Sequence, residues 1–408
     1  ALKEALLVLE EHGFEEMIPD CRLSLAYAQI LIGEHQAAFV NLQRSEAVYE
    51  RRHDPLNQAR CWLYQASSFR RQDLFKEAFE KLGAALAVFV QEGSLTDQGK
   101  AHYQIALGNM LQADHLDDAI DHFTKAVHLF TETDLELWRA MSINNLGAVY
   151  MINGRLKIAE KNYQEARLIF AEHEILGLLA DNLNDSGKLN VLMGRPAQSI
   201  EQLKQAVEIN ERLGAGLSEA VAMSNLGEAY GQLGRYQDAL SHLERAVRKL
   251  ETYKAYFRMA TCEKYMAVIW SRLGQPDRAH EFLDQSAAHY QIAGQTALLS
   301  SVYNYRAAAF FQQGRATQAI ESLERSHAIS KEYGLKPQTA LALRLLGDGF
   351  IGSPRREEAM PTLEAALREF TDMEMSMEQA ACHVSMGAYY VSTSQSDRAW
   401  NAFTHALQ

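Results

Sequence analysis

The most regular feature of this sequence is a pattern of small and large apolar residues that returns every 40 residues. Segments 146–159 and 226–239 align without a gap, from Leu146 on Leu226 to Ala159 on Ala239. Extending this register gives ten small anchor residues at equal steps, except that the step after the second is one residue longer: Ala38, Ala78, Ala119, Ala159, Ser199, Ala239, Ala279, Ala319, Ala359 and Ala399. A fixed period of this length indicates a repeat protein.

Around each anchor the pattern has the spacing of a helix. Four residues later stands a large apolar residue, such as Leu82 or Leu243, and seven residues later a small one, such as Ala85 or Ala246. Positions i, i+4 and i+7 share one helical face. The small residues let a neighbouring helix approach closely, and the large residue packs into it.

A second apolar stripe lies nine to twelve residues before most anchors. It pairs a small residue with an aromatic one, as in Gly147 with Tyr150 and Gly227 with Tyr230. Each repeat is therefore predicted to contain two helices. Many of the turns between them carry glycine, which favours a chain reversal: Gly33, Gly154, Gly194, Gly234, Gly274 and Gly314.

This order of small, aromatic, glycine, alanine, large apolar and alanine positions resembles the tetratricopeptide repeat family over nearly the whole chain. The repeats here are longer than the roughly 34 residues that are usual in that family. In this they resemble those of kinesin light chains, Pins-type polarity adaptors, the sensor arms of bacterial signalling ATPases and repeat domains that partner CHAT proteases. The resemblance implies an all-α, right-handed superhelical solenoid of about ten helix pairs.

The expected boundaries follow from the same register. Residues 1–18 are expected to be the tail of a preceding repeat helix, and residues 19–408 the solenoid. Repeats are expected to start near residues 19, 59, 100, 140, 180, 220, 260, 300, 340 and 380. Because both ends cut the pattern within a repeat, we expect the sequence to belong to a longer protein.

Composition narrows the choice of partner and compartment. Apolar residues make up 47% of the 408 residues, and 40 basic against 52 acidic residues give a net charge of −12. Nucleic acid is not the expected partner, because its binding usually needs a dense basic surface. No apolar run approaches the roughly 18 residues of a membrane span. Four cysteines without a Cys-x-x-Cys pair fit a reducing compartment, so a cytoplasmic location is expected.

Candidate chemical motifs are better explained by structure. Gly347, Gly349 and Gly352 match the dinucleotide-binding spacing, but Gly347 holds the ordinary small position of a first helix. The cysteines share one repeat position, which indicates packing. Asp117, Asp118, His115 and His122 are interpreted as a solvated cluster. We therefore expect no catalytic residue, no metal and no cofactor.

The resemblance implies that the first helices line the concave groove. Polar residues recur there in consecutive repeats, and asparagine is an unfavourable residue in the middle of a helix. The predicted groove-lining residues are Gln104, Asn144, Asn145, Asn184, Asp185, Lys188, Ser224, Asn225, Glu228, Lys264, Asn304, Tyr305 and Arg344.

Two interpretations of the asparagines remain open. In one, their amides form a ladder that hydrogen-bonds the backbone of an extended peptide. Helices packed about 10 Å apart would meet about every third residue of a chain that advances about 3.3 Å per residue. In the other, the amides bond the adjacent repeat or water. Lys188, Glu228 and Lys264 are expected to select charged side chains of the partner.

The function expected first is a non-catalytic module that binds a protein or peptide segment in the groove. The alternative is a sensor arm that controls an attached effector outside this segment, such as a signalling ATPase, a transcription activator or a CHAT-type protease. An enzyme is the least supported class, because no catalytic constellation is present.

Overall fold

A computed structural model of the protein describes residues 1–112, 115–373 and 375–407. This part of the chain consists of helices and the turns between them, without a β-strand. The helices are α1 (Leu2–Glu11), α2 (Ile18–Leu31), α3 (His35–Arg51), α4 (Pro55–Arg70), α5 (Phe75–Gln91), α6 (Leu95–Met110), α7 (Leu116–Glu132), α8 (Glu136–Ile152), α9 (Leu156–Glu172), α10 (Leu176–Leu192), α11 (Pro196–Arg212), α12 (Gly216–Gln232), α13 (Tyr236–Thr252), α14 (Tyr256–Arg272), α15 (Pro276–Ile292), α16 (Leu299–Gln312), α17 (Ala316–Glu332), α18 (Lys336–Ile351), α19 (Ala359–Asp372), α20 (Ser376–Ser392) and α21 (Ser396–Ala406).

The chain forms two compact bodies, an N-terminal body (Ala1–Gly194) with α1–α10 and a C-terminal body (Arg195–Gln408) with α11–α21. Even-numbered helices are the first helices of the repeats, and odd-numbered helices from α3 onward are the second helices. The predicted all-α repeat architecture is confirmed. First helices begin slightly before the expected repeat boundaries: α4, for example, begins at Pro55.

Within each body the first helices occupy the inner side of the stack. Each helix packs against its neighbours in sequence, and successive first helices also touch, as α4 touches α6 and α14 touches α16. Among the helices described, successive second helices make no comparably close contact. Because successive first helices touch each other and successive second helices do not approach as closely, the first helices form the inner layer of each body.

The core follows the predicted pattern. All ten anchor residues are at most 4% exposed, and the large residues four positions later are at most 1% exposed except for Phe403 at 37%. The small positions of the first helices receive these large residues. A Cβ added to Gly227 would lie 2.6 Å from Leu243 Cγ, and one added to Gly147 would lie 3.1 Å from the Tyr163 ring. Close approach therefore explains these two glycines.

The turns recur at half of the repeat length, because each repeat has one turn between its two helices and one that leads to the next repeat. The six glycines predicted at turns have φ between 71° and 81°, which confirms their role. Six described residues other than glycine also adopt positive φ at turns, at a strain that glycine avoids: His53, Asp73, Asp134, Glu174, Lys254 and Ser394.

Candidate binding surface on the first helices

The structure corrects the position of one predicted groove residue. Helices α4 and α6 begin at Pro55 and Leu95, one ordinary repeat apart, whereas α5 and α7 begin at Phe75 and Leu116, one residue further apart. The extra residue of the third repeat thus lies in the turn between α6 and α7, where residues 113 and 114 fall outside the described part.

Because of this insertion, the groove position that was predicted by counting back from the anchor is wrong by one residue in the third repeat. Counting back from Ala119 across the turn reaches Gln104, but the true equivalent of Leu63 and Asn144 is Tyr103. Gln104 instead accepts a 3.4 Å hydrogen bond from Arg70 Nε.

In the N-terminal body, amides of the first helices bond the preceding repeat. Asn145 Nδ2 donates to the Tyr103 hydroxyl at 2.8 Å. Asn182 Nδ2 reaches Asn144 Oδ1 at 2.8 Å and the Tyr163 carbonyl at 2.9 Å. Part of the amide row therefore links one repeat to the next, as in the second interpretation of the asparagines.

An arginine that sequence reasoning missed completes this network. Arg167 of α9 donates from Nε to Asn182 Oδ1 at 3.1 Å and from Nη2 to Ser186 Oγ at 2.8 Å. Burial lowers the pKa of Arg167. Asn182 is fully buried at the repeat position that holds cysteine in other repeats. A polar residue at that apolar position is the signal from which a buried hydrogen-bond partner could have been predicted.

Asp185 forms the acidic part of the same surface. Burial and the nearby Asp181 raise the pKa of Asp185 to about 6. Hydrogen bonds from the side chains of Asn144 and Asn184, together with the charge of Lys188, favour its ionised form and limit the rise. Lys188 itself is exposed. The carboxyl of Asp185 is thus hydrogen-bonded by two of the asparagine amides that were predicted to bind a peptide backbone.

In the C-terminal body, two predicted residues differ in what they offer a partner. Ser224 is buried between α12 and α14, where its hydroxyl accepts a 3.2 Å bond from Cys262 Sγ. Ser224 is therefore a packing residue, because a hydroxyl inside the joint cannot line a groove. Asn225, the next residue of α12, is half-buried.

A small pocket of about 130 Å³ opens between α12, α14 and α16. It brings together the predicted residues Glu228 and Tyr305, together with Tyr265 and Arg272. Burial raises the pKa of Tyr265, and the charge of Glu228 and the hydrogen bond that the Tyr265 hydroxyl donates to the Glu228 carboxylate add to this rise. Burial lowers the pKa of Lys264, and the charge of Glu228 opposes this shift.

The remaining predicted residues lie on α16 and α18. Asn304 Oδ1 is buried and has no hydrogen-bond partner within the described residues. Arg344 pairs with Asp348 of the same helix at 3.0 Å. The amide oxygen of Asn304 is thus buried without a hydrogen bond from any described residue.

The other candidate motifs occupy ordinary structural positions. Gly347 lies inside α18, where an added Cβ would meet Leu363 at 2.6 Å. Cys61, Cys262 and Cys382 are fully buried, while Cys21 is partly exposed. His115 and Asp118 pair at 3.0 Å on the surface. The described residues contain no group of three or more potential metal ligands, and none of their helices is long and apolar enough to cross a bilayer.

Sequence comparison identifies the family. A family model described as tetratricopeptide repeat matches residues 138–212, 178–252, 218–292 and 298–372, which together cover more than half of the chain. The chain belongs to the tetratricopeptide repeat family. Comparison of this tetratricopeptide repeat chain with curated proteins finds no match.

Solved structures share the tetratricopeptide repeat fold at low sequence identity. The apo quorum sensor NprR from B. thuringiensis is 15% identical, with a TM-score of 0.61 over 80% of this chain and 96% of that one. A Rap protein complexed with Competence and Sporulation Factor is 16% identical, with a TM-score of 0.54 over 86% and 99% of the two chains. A STAND signal-transduction ATPase with a tetratricopeptide repeat sensor, from Pyrococcus horikoshii, is 14% identical, with a TM-score of 0.55 over 86% and 55%.

Proposed function

We propose that this tetratricopeptide repeat chain is a non-catalytic interaction module that binds an extended segment of a protein partner on its first helices. The observation that carries this proposal is that α12, α14 and α16 each present a half-buried polar residue, Asn225, Lys264 and Asn304, on the inner layer of the C-terminal body. A half-buried amide such as that of Asn304 can bond the backbone of an extended segment without requiring a particular side chain.

The internal bonds of the other amides refine the proposal. Asn145 donates its Nδ2 group to the Tyr103 hydroxyl, and Asn144 and Asn184 hold the carboxyl of Asp185. These side chains are fixed before a partner arrives, so little side-chain entropy is lost on binding. The Rap protein bound to Competence and Sporulation Factor is a precedent for a bound factor on this fold.

The test is Asn304→Ala, with Asn401→Ala as a matched control on the exposed surface of α21. A partner found by pull-down and mass spectrometry is mapped to a synthetic peptide, and its affinity is measured by calorimetry. We expect Asn304→Ala to weaken binding about tenfold, which corresponds to about 1.4 kcal/mol and to one hydrogen bond, without a lower melting temperature. Unchanged affinity in Asn304→Ala, or an equal loss in Asn401→Ala, contradicts the proposal.

The double variant Asn145→Ala, Asn225→Ala distinguishes the two interpretations of the amide row. The ladder interpretation expects weaker partner binding. The structural interpretation expects intact binding and lower stability, because the bond to Tyr103 is lost. Since that bond is present, some loss of stability, about 1 kcal/mol, is expected in either case, and the affinity decides.

A second candidate function is a sensor arm that controls an attached effector domain. The similarity in fold to the ATPase with a tetratricopeptide repeat sensor favours it. Each helix here packs mainly on its sequence neighbours, so binding at one repeat can alter its neighbours in turn. Adding the peptide to the full-length protein would then change the effector's activity, and Asn304→Ala would reduce that response.

A further inference from the structure

The pocket between α12, α14 and α16 has a composition that limits what it can hold. Val268, Ile269 and the bare backbone of Gly231 supply an apolar surface, and Tyr265 and Tyr305 add aromatic rings. Tyrosine and arginine are enriched among residues that dominate binding energies. The pocket is therefore suited to one anchoring side chain of a partner.

The volume of the pocket sets the size of that side chain. About 130 Å³ is close to the roughly 150 Å³ of an engineered protein cavity that binds one benzene ring. A single medium or large side chain fits this space, whereas a folded element does not. Tyr305 is 40% exposed, so a side chain can enter beside it from the surface.

The charges around the pocket favour neither a cationic nor an anionic side chain. Glu228 lines the pocket, and its negative charge acts on the nearby Lys264. Arg272 lines the pocket too, and its Nη1 atom donates to the Gly231 carbonyl at 3.3 Å. A cation in the pocket would be attracted by Glu228 and repelled by Arg272, and an anion the reverse, so the two effects oppose each other for either sign of charge.

A purely aliphatic side chain fits poorly for a different reason. It would cover the polar groups of Glu228 and Arg272 without offering them a hydrogen bond. A ring with one polar atom avoids this, because its faces contact the tyrosines and its polar atom bonds a lining charged group. The planar guanidinium of Arg272 can also stack on such a ring.

We propose that this pocket binds an aromatic side chain with a polar atom, tyrosine or tryptophan, from the partner segment. The inference rests on the proposed function, because it names the residue that anchors the segment bound by the first helices. It also predicts the register of the segment: the anchor lies beside α14, and the backbone next to it reaches Asn304 on α16.

The first experiment probes the pocket without a partner. N-acetyl-tyrosinamide, N-acetyl-leucinamide, N-acetyl-argininamide and N-acetyl-glutamate amide are titrated separately into the full chain. The readout is the NMR signal of the Ile269 δ1 methyl group, which lies 3.5 Å from the Cβ that Gly231 lacks. We expect the tyrosine probe to shift this signal at millimolar concentration and the other three to shift it little.

Two variants locate the binding. Gly231→Leu fills the pocket, and its Cβ meets Ile269 at an ordinary contact distance. Tyr305→Ala removes a lining ring, and Tyr333→Ala is its matched control because Tyr333 is 46% exposed and outside the pocket. We expect Gly231→Leu and Tyr305→Ala to weaken the tyrosine probe about tenfold and Tyr333→Ala to leave it unchanged. If Gly231→Leu fails to fold, Tyr305→Ala still decides.

Stronger binding of the arginine, glutamate or leucine probe overturns the inference, as does the absence of any shift with all four. The partner peptide then separates this inference from the proposed function. If the peptide loses affinity in Asn304→Ala but not in Tyr305→Ala, the aromatic anchor is wrong and the interaction surface stands. If the tyrosine probe binds while Asn304→Ala leaves the peptide's affinity unchanged, the pocket stands and the proposed function fails.

Discussion

At the scale of single residues, Asp185 shows how burial and neighbouring groups shift the pKa of one carboxyl in opposite directions. Burial and Asp181 raise the pKa of Asp185, while the amides of Asn144 and Asn184 lower it. The sequence placed Asp185 on the first-helix surface but could not reveal this balance, because it depends on side-chain contacts between α8 and α10. The native state binds the Asp185 proton more tightly than the unfolded chain does.

The first prediction concerns this proton. The free energy of unfolding should lose the contribution of Asp185 as pH rises from the ordinary pKa of 3.8 to about 6, because the native state binds more protons in that window. Asp181→Asn should lower the pKa of Asp185, since it removes a like charge. The measurement is the ¹³C carboxyl titration of Asp185 by NMR.

Asp134→Asn serves as the control for this titration, because Asp134 is not among the groups that shift Asp185. It should leave the Asp185 midpoint in place. A midpoint close to the ordinary value in the unaltered protein, or one that Asp181→Asn does not move, would show that burial and Asp181 do not govern this carboxyl.

At the scale of helices and turns, the sequence pattern predicted the helix pairs because the repeat period is set by core packing. It missed where the extra residue of the third repeat is inserted, since the anchors of the second helices do not report on the length of a turn. The shift from Tyr103 to Gln104 follows from that single residue. The pattern also found turns only where glycine marks them, and not those at residues such as Lys254.

The second prediction tests the strain at these turns. Lys254 has a φ of 51° in the turn after α13, where glycine stands in several other repeats. Lys254→Gly should raise the free energy of unfolding by about 0.5–1 kcal/mol, because glycine adopts this conformation without the steric cost. Gly214→Ala, at a φ of 65° with open space around it, should lower it by about 1 kcal/mol. Chemical denaturation measures both, and equal effects of the two changes would contradict the argument.

The third prediction compares two glycines of α12. An alanine Cβ at Gly227 would lie 2.6 Å from Leu243 Cγ, whereas one at Gly231 would lie 3.5 Å from Ile269. Gly227→Ala should destabilise the protein by about 1–3 kcal/mol through overpacking. Gly231→Ala should stabilise it by about 0.5–1 kcal/mol through helix propensity. Thermal unfolding of the two variants gives the comparison, and stabilisation by Gly227→Ala would show that Leu243 moves aside easily.

At the scale of the whole molecule, stability is built from contacts between neighbouring helices. The repeated anchors and large residues were predictable because every repeat buries the same face. The hydrogen bonds between Arg167 and Asn182 were not, because this pairing is specific to one joint between repeats and leaves no periodic signal. The fold was therefore more predictable than the candidate binding surface, whose residues differ from repeat to repeat.

The fourth prediction follows from this nearest-neighbour packing. Leu82 is 1% exposed in the core shared by α4 and α5. Leu82→Ala should cost about 2–5 kcal/mol locally and reduce amide hydrogen-exchange protection in α4, α5 and α6. Protection in α16–α19 should change little, because those helices belong to the C-terminal body and are not sequence neighbours of α4 and α5. Hydrogen exchange with mass spectrometry resolves the two regions, and a uniform loss along the chain would indicate a single cooperative unit.

The regular spacing of the turns bears on how such a chain can change in length. An added residue inside a helix turns every later side chain by about 100° around the axis, which moves anchors out of the core. An added residue in a turn, as between α6 and α7, leaves both flanking helices in phase with their neighbours. Gene duplication or recombination joined at these turns can thus add or remove whole repeats while each new junction buries the same kind of face.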